Sequence, residues 1–273
     1  MGSDLLFTLI TTFGIFFIGF IVYIHDKKSV SNLLFFLISF STVCWALSNY
    51  VSISDSGPAA LWAIRSVLFF AAPHVVLFYL FTLNFPNREL VIAKKKLWII
   101  LSALFSVMIL TLTPLIFESV RFDTSGSIQP VPGKLIFIFA IFVLGSLILG
   151  MITMFKKYFH AAKEDKTKWG VMLMGVGLSY LLLIITNFIA VVAYENTHYT
   201  VYAPLFMLPS IIGMAYSVLR YKLLNVKTIA TEILVFLVLS VSIVQIFFST
   251  TITQTIINTS LFCLFLLFSL FLL

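Results

Sequence analysis

Nine apolar runs, each close to twenty residues long, constrain this chain before any motif does. They cover approximately 5–24, 33–53, 60–83, 97–117, 135–155, 169–194, 202–219, 229–249 and 257–273. An α-helix needs about 20 apolar residues to cross about 30 Å of hydrocarbon, and every run is near that length. None alternates with the two-residue period of a membrane barrel strand, so the backbone must satisfy its own hydrogen bonds within helices. Only 10% of residues are charged, against about 25% in soluble domains. The expected fold is all-α: a polytopic integral membrane helix bundle of about nine transmembrane helices. The first run carries Asp4 where a leader's basic region would stand, and no small-residue cleavage site follows. It reads as a span and not as a signal peptide.

The net charge of +7 suggests nucleic acid only until the cations are located. Lys27 and Lys28 follow the first span; Arg88, Lys94, Lys95 and Lys96 follow the third. Lys156, Lys157, Lys163, Lys166 and Lys168 follow the fifth, and Arg220, Lys222 and Lys227 the seventh. Fourteen of 17 cations therefore sit on alternate loops, leaving Arg121 and Lys134 on the other side and Arg65 within a span. The positive-inside rule then puts the N-terminus outside and, after nine spans, the C-terminus in the cytoplasm. The basic balance addresses the lipid bilayer, and nucleic acid is not an expected partner. Cys44 and Cys263 fall inside spans, where a structural disulfide is not expected.

Polar residues inside the spans are the candidate binding groups. In the second span Thr42, Trp45 and Asn49 are spaced by three and four, so they share a helical face. Asn49 lies roughly 6 Å below the outer end at Ile53, at ~1.5 Å per residue. In the third, Trp62 and Arg65 share a face, and Arg65 lies about 9 Å below Ala59 by the same rise. In the sixth, Tyr180, Asn187 and Tyr194 recur every seven residues. Two readings of this outer layer stand level. Arg65 is interhelical glue, bonded to Asn187, Asn49 or carbonyls, or it lines a pocket for an anionic or carbonyl-bearing ligand. His74, beside Pro73, is either a satisfied histidine at a kink or, less commonly, a proton sensor.

Several chemistries are set aside. His74 is the only histidine deep in a span, which excludes a bis-histidine haem bundle. No lysine occurs in 202–219, so a retinal Schiff base lacks its anchor. Apart from Glu232 near the start of the eighth run, the spans hold no Asp or Glu, and they carry no metal-ligand cluster, so neither a membrane enzyme nor a metal or other cofactor is expected. Residues 118–134 suggest an extracellular hairpin capping the bundle or a plain loop, and 84–96 a segment lying along the headgroups. Gly175/Ser179 and Gly213/Ser217 permit close helix packing, and Pro209 is expected to bend the seventh helix.

The chain is organised around Arg220–Glu232, RYKLLNVKTIATE. Arg220, Lys222 and Lys227 stand there beside the apolar Tyr221, Leu223, Leu224 and Val226, with Asn225 among them, as suits either a basic anchor or a signal connector. Three stretches resemble the N-terminal seven-helix sensor region of bacterial membrane histidine kinases. They are ALWAIRSVLFFAAPHVVLFYLFTLNFP, Pro132-Gly133 at the fifth span, and IIGMAYSVLRYKLLNVKTIATE. The resemblance covers about 1–232, and the two further spans are similar to an extended form. It implies ligand sensing by the bundle and a signal passed to a cytoplasmic kinase output domain and its response regulator, commonly from a homodimer. The implied organisation is a sensor bundle at 1–219, a connector at 220–232 and two more helices at 233–273. The stretch up to Leu273 carries no phosphoacceptor histidine or nucleotide loop, so this chain is expected not to be an enzyme, while a longer parent would be a kinase. The alternative is a stand-alone transporter or channel, against which the spans show no clear internal repeats.

Overall fold

A computed structural model describes residues 2–54, 59–122, 128–189, 198–221 and 248–272, together with 231, 235, 238–239 and 241–246. Seven helices occupy its first four stretches. They are α1 (Gly2–His25), α2 (Val30–Ser54), α3 (Ala59–Asn84), α4 (Lys94–Thr111), α5 (Ile136–His160), α6 (Lys163–Leu183) and α7 (Ala203–Tyr221). An eighth, α8, runs from Ile252 to Leu272. Six of the first seven are long and apolar enough to cross a membrane; α4, with 18 residues, opens on three lysines. The apolar run 229–249 is described only in part, so the structure does not count nine spans.

α3 is the central helix, packed against α2, α4 and α5, while α7 packs against α6, α1 and α2. The core is filled by Phe35, Phe78, Phe81, Phe85, Met172, Met207, Ile211 and Met214, all fully buried. The outward face of α5 carries Ile141, Leu144, Ile148 and Ile152, exposed and spaced by three and four, the stripe of a helix that faces lipid. α6 and α7 approach closely. A Cβ added at Gly175 would stand 2.2 Å from the Pro209 carbonyl oxygen, so only glycine allows this crossing. Pro209 has no N–H to give the helical ladder there, and the Ser210 amide donates to Ser179 Oγ across the seam at 2.8 Å. Ser217 Oγ has the Lys168 carbonyl of α6 at 2.7 Å and the Gly213 carbonyl of its own helix at 2.8 Å as acceptors for its one proton. α7 is thus braced by α6 at its proline.

Three apolar runs end otherwise than their length suggests. The fourth, expected to continue to 117, leaves the helix at Thr111. Pro114 cannot continue an α-helical ladder, and the chain enters strand β1 (Phe117–Phe122), which pairs antiparallel with β2 (Ile128–Pro132). Residues 118–134 therefore do include a hairpin. The sixth run leaves α-geometry after Leu183 and continues as a π-helical stretch, Ile184–Ile189. The seventh begins with a short 3-10 turn, His198–Tyr202, before α7.

Candidate functional site

In the N-terminal half of α3, Arg65 is buried, 5% exposed, although no carboxylate faces it among the described residues. Its Nη2 donates to the Phe117 carbonyl at 2.7 Å, so the charge holds the first residue of the hairpin against the bundle. The guanidinium stands 5.2 Å from the Trp62 ring, one turn back on α3. Trp62 itself is 56% exposed. Arg65 Nε is buried and has no partner. A charge at this depth costs at least ~2.5 kcal/mol, and a bare buried donor adds to that cost. Trp45 and Asn49 are half-buried on the neighbouring α2. Asn187 lies in the π-helical stretch, a geometry frequent at functional sites, but its side chain lies outside what is described, as does all of Tyr194.

Tyr180 belongs elsewhere. Its hydroxyl meets His74 Nε2 at 3.1 Å, and His74 Nδ1 meets Thr42 Oγ1 at 3.0 Å. Thr42 has one proton and donates it to the Ile38 carbonyl at 2.8 Å. Its oxygen must therefore accept from His74 Nδ1–H, which leaves Nε2 to accept from Tyr180; this tautomer is assigned from the network. One hydrogen-bonded row thus crosses the middle of the bundle from α2 through α3 to α6. His74 is the satisfied histidine, roughly 13 Å along α3 from Arg65 at ~1.5 Å per residue.

The opposite end of the bundle, at the C-terminus of α3, is closed by a polar knot that the sequence does not announce. α3 ends at Asn84, which is fully buried. Asn84 Oδ1 accepts from the Val91 amide at 2.9 Å and Nδ2 donates to the Asn87 carbonyl at 3.1 Å. Ser31 Oγ on α2 donates to the same Asn87 carbonyl. From α5, Lys157 Nζ donates to the Leu83 and Phe85 carbonyls, the orphan acceptors at the end of α3. The ammonium stands 5.5 Å from the buried Trp169 ring of α6, which meets Phe85 edge-on. Lys157 counted only as a loop cation in the sequence. Signals were nonetheless present in the asparagines flanking Phe85-Pro86 and in an aromatic at 169 one helix away.

Of the connector residues, Pro209 and Arg220 lie on α7, with Arg220 exposed in its last turn. The backbone of Tyr221 closes the helix. Lys222, Leu223, Leu224, Asn225, Lys227 and Glu232 lie outside the described residues.

An apolar bundle of long helices, with polar groups joined inside it at both ends and in the middle, is a multi-pass membrane protein. A family model described as the N-terminal 7TM region of histidine kinase matches residues 7–227, the stretch that holds α1–α7. The chain belongs to that family, as the third-span and seventh-helix resemblances imply. It is the membrane sensor region of a histidine kinase of the bacterial inner membrane. No curated protein matches the chain.

Proposed function

We propose that the bundle detects an extracellular or membrane-borne ligand at its outer end and passes the signal inward to a cytoplasmic kinase. In this reading 1–219 is the sensor, 220–232 the connector and 233–273 the passage to the output domain. The N-terminus is outside, and the working unit is a homodimer whose kinase addresses a response regulator. Phosphotransfer belongs to the output domain. The observation that carries the reading is Arg65: a buried guanidinium whose Nε has no partner beside a half-open tryptophan. Among the described residues Thr8 Oγ1 and Asn32 Oδ1 are also buried without a partner, but Nε belongs to a charged group, and a ligand carboxylate or carbonyl would complete it.

Transmission inward has a physical route in this proposal. α3 carries Arg65 at one end and His74 in the middle, and His74 meets Tyr180 on α6. Because α6 braces α7 at Pro209, the pair moves together and carries Arg220 and the connector with it. A full switch from 1:99 to 99:1 needs the ligand to prefer one state by about 5.5 kcal/mol. The test fuses the chain to a histidine-kinase core and measures autophosphorylation in membranes exposed to spent culture medium. Arg65→Ala is expected to abolish the response while membrane insertion is retained. Inserting two glycines after Asn225 is expected to uncouple it as well. A response unchanged in both variants rejects the reading.

A further inference from the structure

α4 differs from its neighbours in length, charge and partners. Its apolar part, Leu97–Thr111, spans only about 22 Å at ~1.5 Å per residue, short of the ~30 Å hydrocarbon core. A short span is accommodated by local thinning and by drawing polar groups toward it. Lys94, Lys95 and Lys96 stand at its inner end, all exposed. Among the described residues the ion pairs are Arg88–Asp26 and Lys168–Asp165, so none of the three lysines has a carboxylate partner.

Directly outward of the lysines lies a groove of ≈ 410 Å³ lined by Trp98, Leu101, Ser102, Leu104, Phe105 and Met108. Lys94, Trp98, Leu101, Phe105 and Met108 are spaced four, three, four and three apart, so one helical stripe runs from a cation into the groove. The groove's length from Trp98 to Met108 is about 15 Å. α4 packs chiefly on α3, which leaves Trp98 69% and Phe105 65% exposed. An unpaired triple cation at the foot of an apolar groove matches a molecule with an anionic head and a hydrocarbon tail. A neutral lipid satisfies the groove but not the lysines.

We propose that this face of α4 is a binding site for an anionic phospholipid, its phosphates on Lys94–Lys96 and one acyl chain along the groove past Trp98. The site is independent of the outer ligand site. It is tested with the full chain in phosphatidylcholine nanodiscs doped with acyl-brominated phosphatidylglycerol or, at the same fraction, acyl-brominated phosphatidylcholine. Quenching of Trp98 is isolated by subtracting the Trp98→Phe signal. The phosphatidylglycerol lipid is expected to be favoured at Trp98 by at least ~5-fold, the effect of one lysine at an anionic surface. Lys94→Gln/Lys95→Gln/Lys96→Gln is expected to remove the preference, and the corresponding arginine triple to keep it. Lys27→Gln/Lys28→Gln, on another loop, is expected to leave it unchanged. Equal quenching by the two headgroups, or a preference that survives the glutamine triple, overturns the proposal. So does protection of Trp98 from both lipids, which would give the groove to a second copy of the chain.

Discussion

Arg65 and Lys157 enter the bundle from opposite ends with the same chemistry and opposite outcomes. Each is a cation against a tryptophan, at 5.2 Å for Arg65 and Trp62 and 5.5 Å for Lys157 and Trp169. Each donates to backbone carbonyls at an element boundary. Lys157 supplies two carbonyls at the end of α3, and its tryptophan is 3% exposed. Arg65 supplies one, keeps a bare Nε, and its tryptophan stands half open. A completed polar cluster specifies a structure, and an incomplete one has capacity left for a ligand. The inner knot is read as the fixed end of the bundle and the outer pair as the sensing end.

Three substitutions sharpen or break this contrast. Lys157→Met should have the largest effect, about 3 kcal/mol of lost stability, because charge-assisted bonds vanish and the end of α3 keeps unpaired carbonyls. Denaturant titration in mixed micelles reads it, and a loss no greater than that at an exposed lysine such as Lys156 would remove the inner knot from the account. Asn84→Ala comes next, at about 2 kcal/mol, since the Val91 amide and the Asn87 carbonyl both lose a partner. The same titration applies, and increased proteolysis of 85–93 in inverted vesicles should accompany it. Tyr180→Phe is expected to cost about 1 kcal/mol through one hydrogen bond, yet to weaken signalling more than stability if the row from α2 to α6 carries the signal. Wild-type signalling in that variant would place transmission elsewhere.

The helical bundle and the shared face of Trp62 and Arg65 were legible in the sequence, because each depends on residues close together in the chain; at 118–134 the sequence left a plain loop open, and the structure forms the hairpin. The meeting of Tyr180 with His74 was not legible. The seven-residue spacing of Tyr180 from Asn187 and Tyr194 grouped it with the outer layer, although at ~1.5 Å per residue it lies about 21 Å from Tyr194. The register is set instead from the inner end, where Phe85 meets Trp169. His74 and Tyr180 are each eleven residues from that contact, three turns on antiparallel helices, so they fall on facing sides at one depth. Such a register is a tertiary fact with no local signal. The role of Lys157 was hidden for a related reason: the rule that explains loop cations by topology explains this one too, and only packing shows that it also closes α3.

The central claim is that the inner cation is structural and the outer one is held for a ligand. Its most direct test is the stability of Arg65→Met set beside that of Lys157→Met, by reversible unfolding in the same lipid micelles. Replacing an incompletely satisfied buried charge by an apolar side chain of similar length is often neutral or stabilising. Arg65→Met is therefore expected to change stability by less than about 1 kcal/mol, well below the loss at Lys157, while the kinase fusion no longer responds. A loss at Arg65 equal to that at Lys157, with the response intact, would make the outer arginine glue and contradict the account.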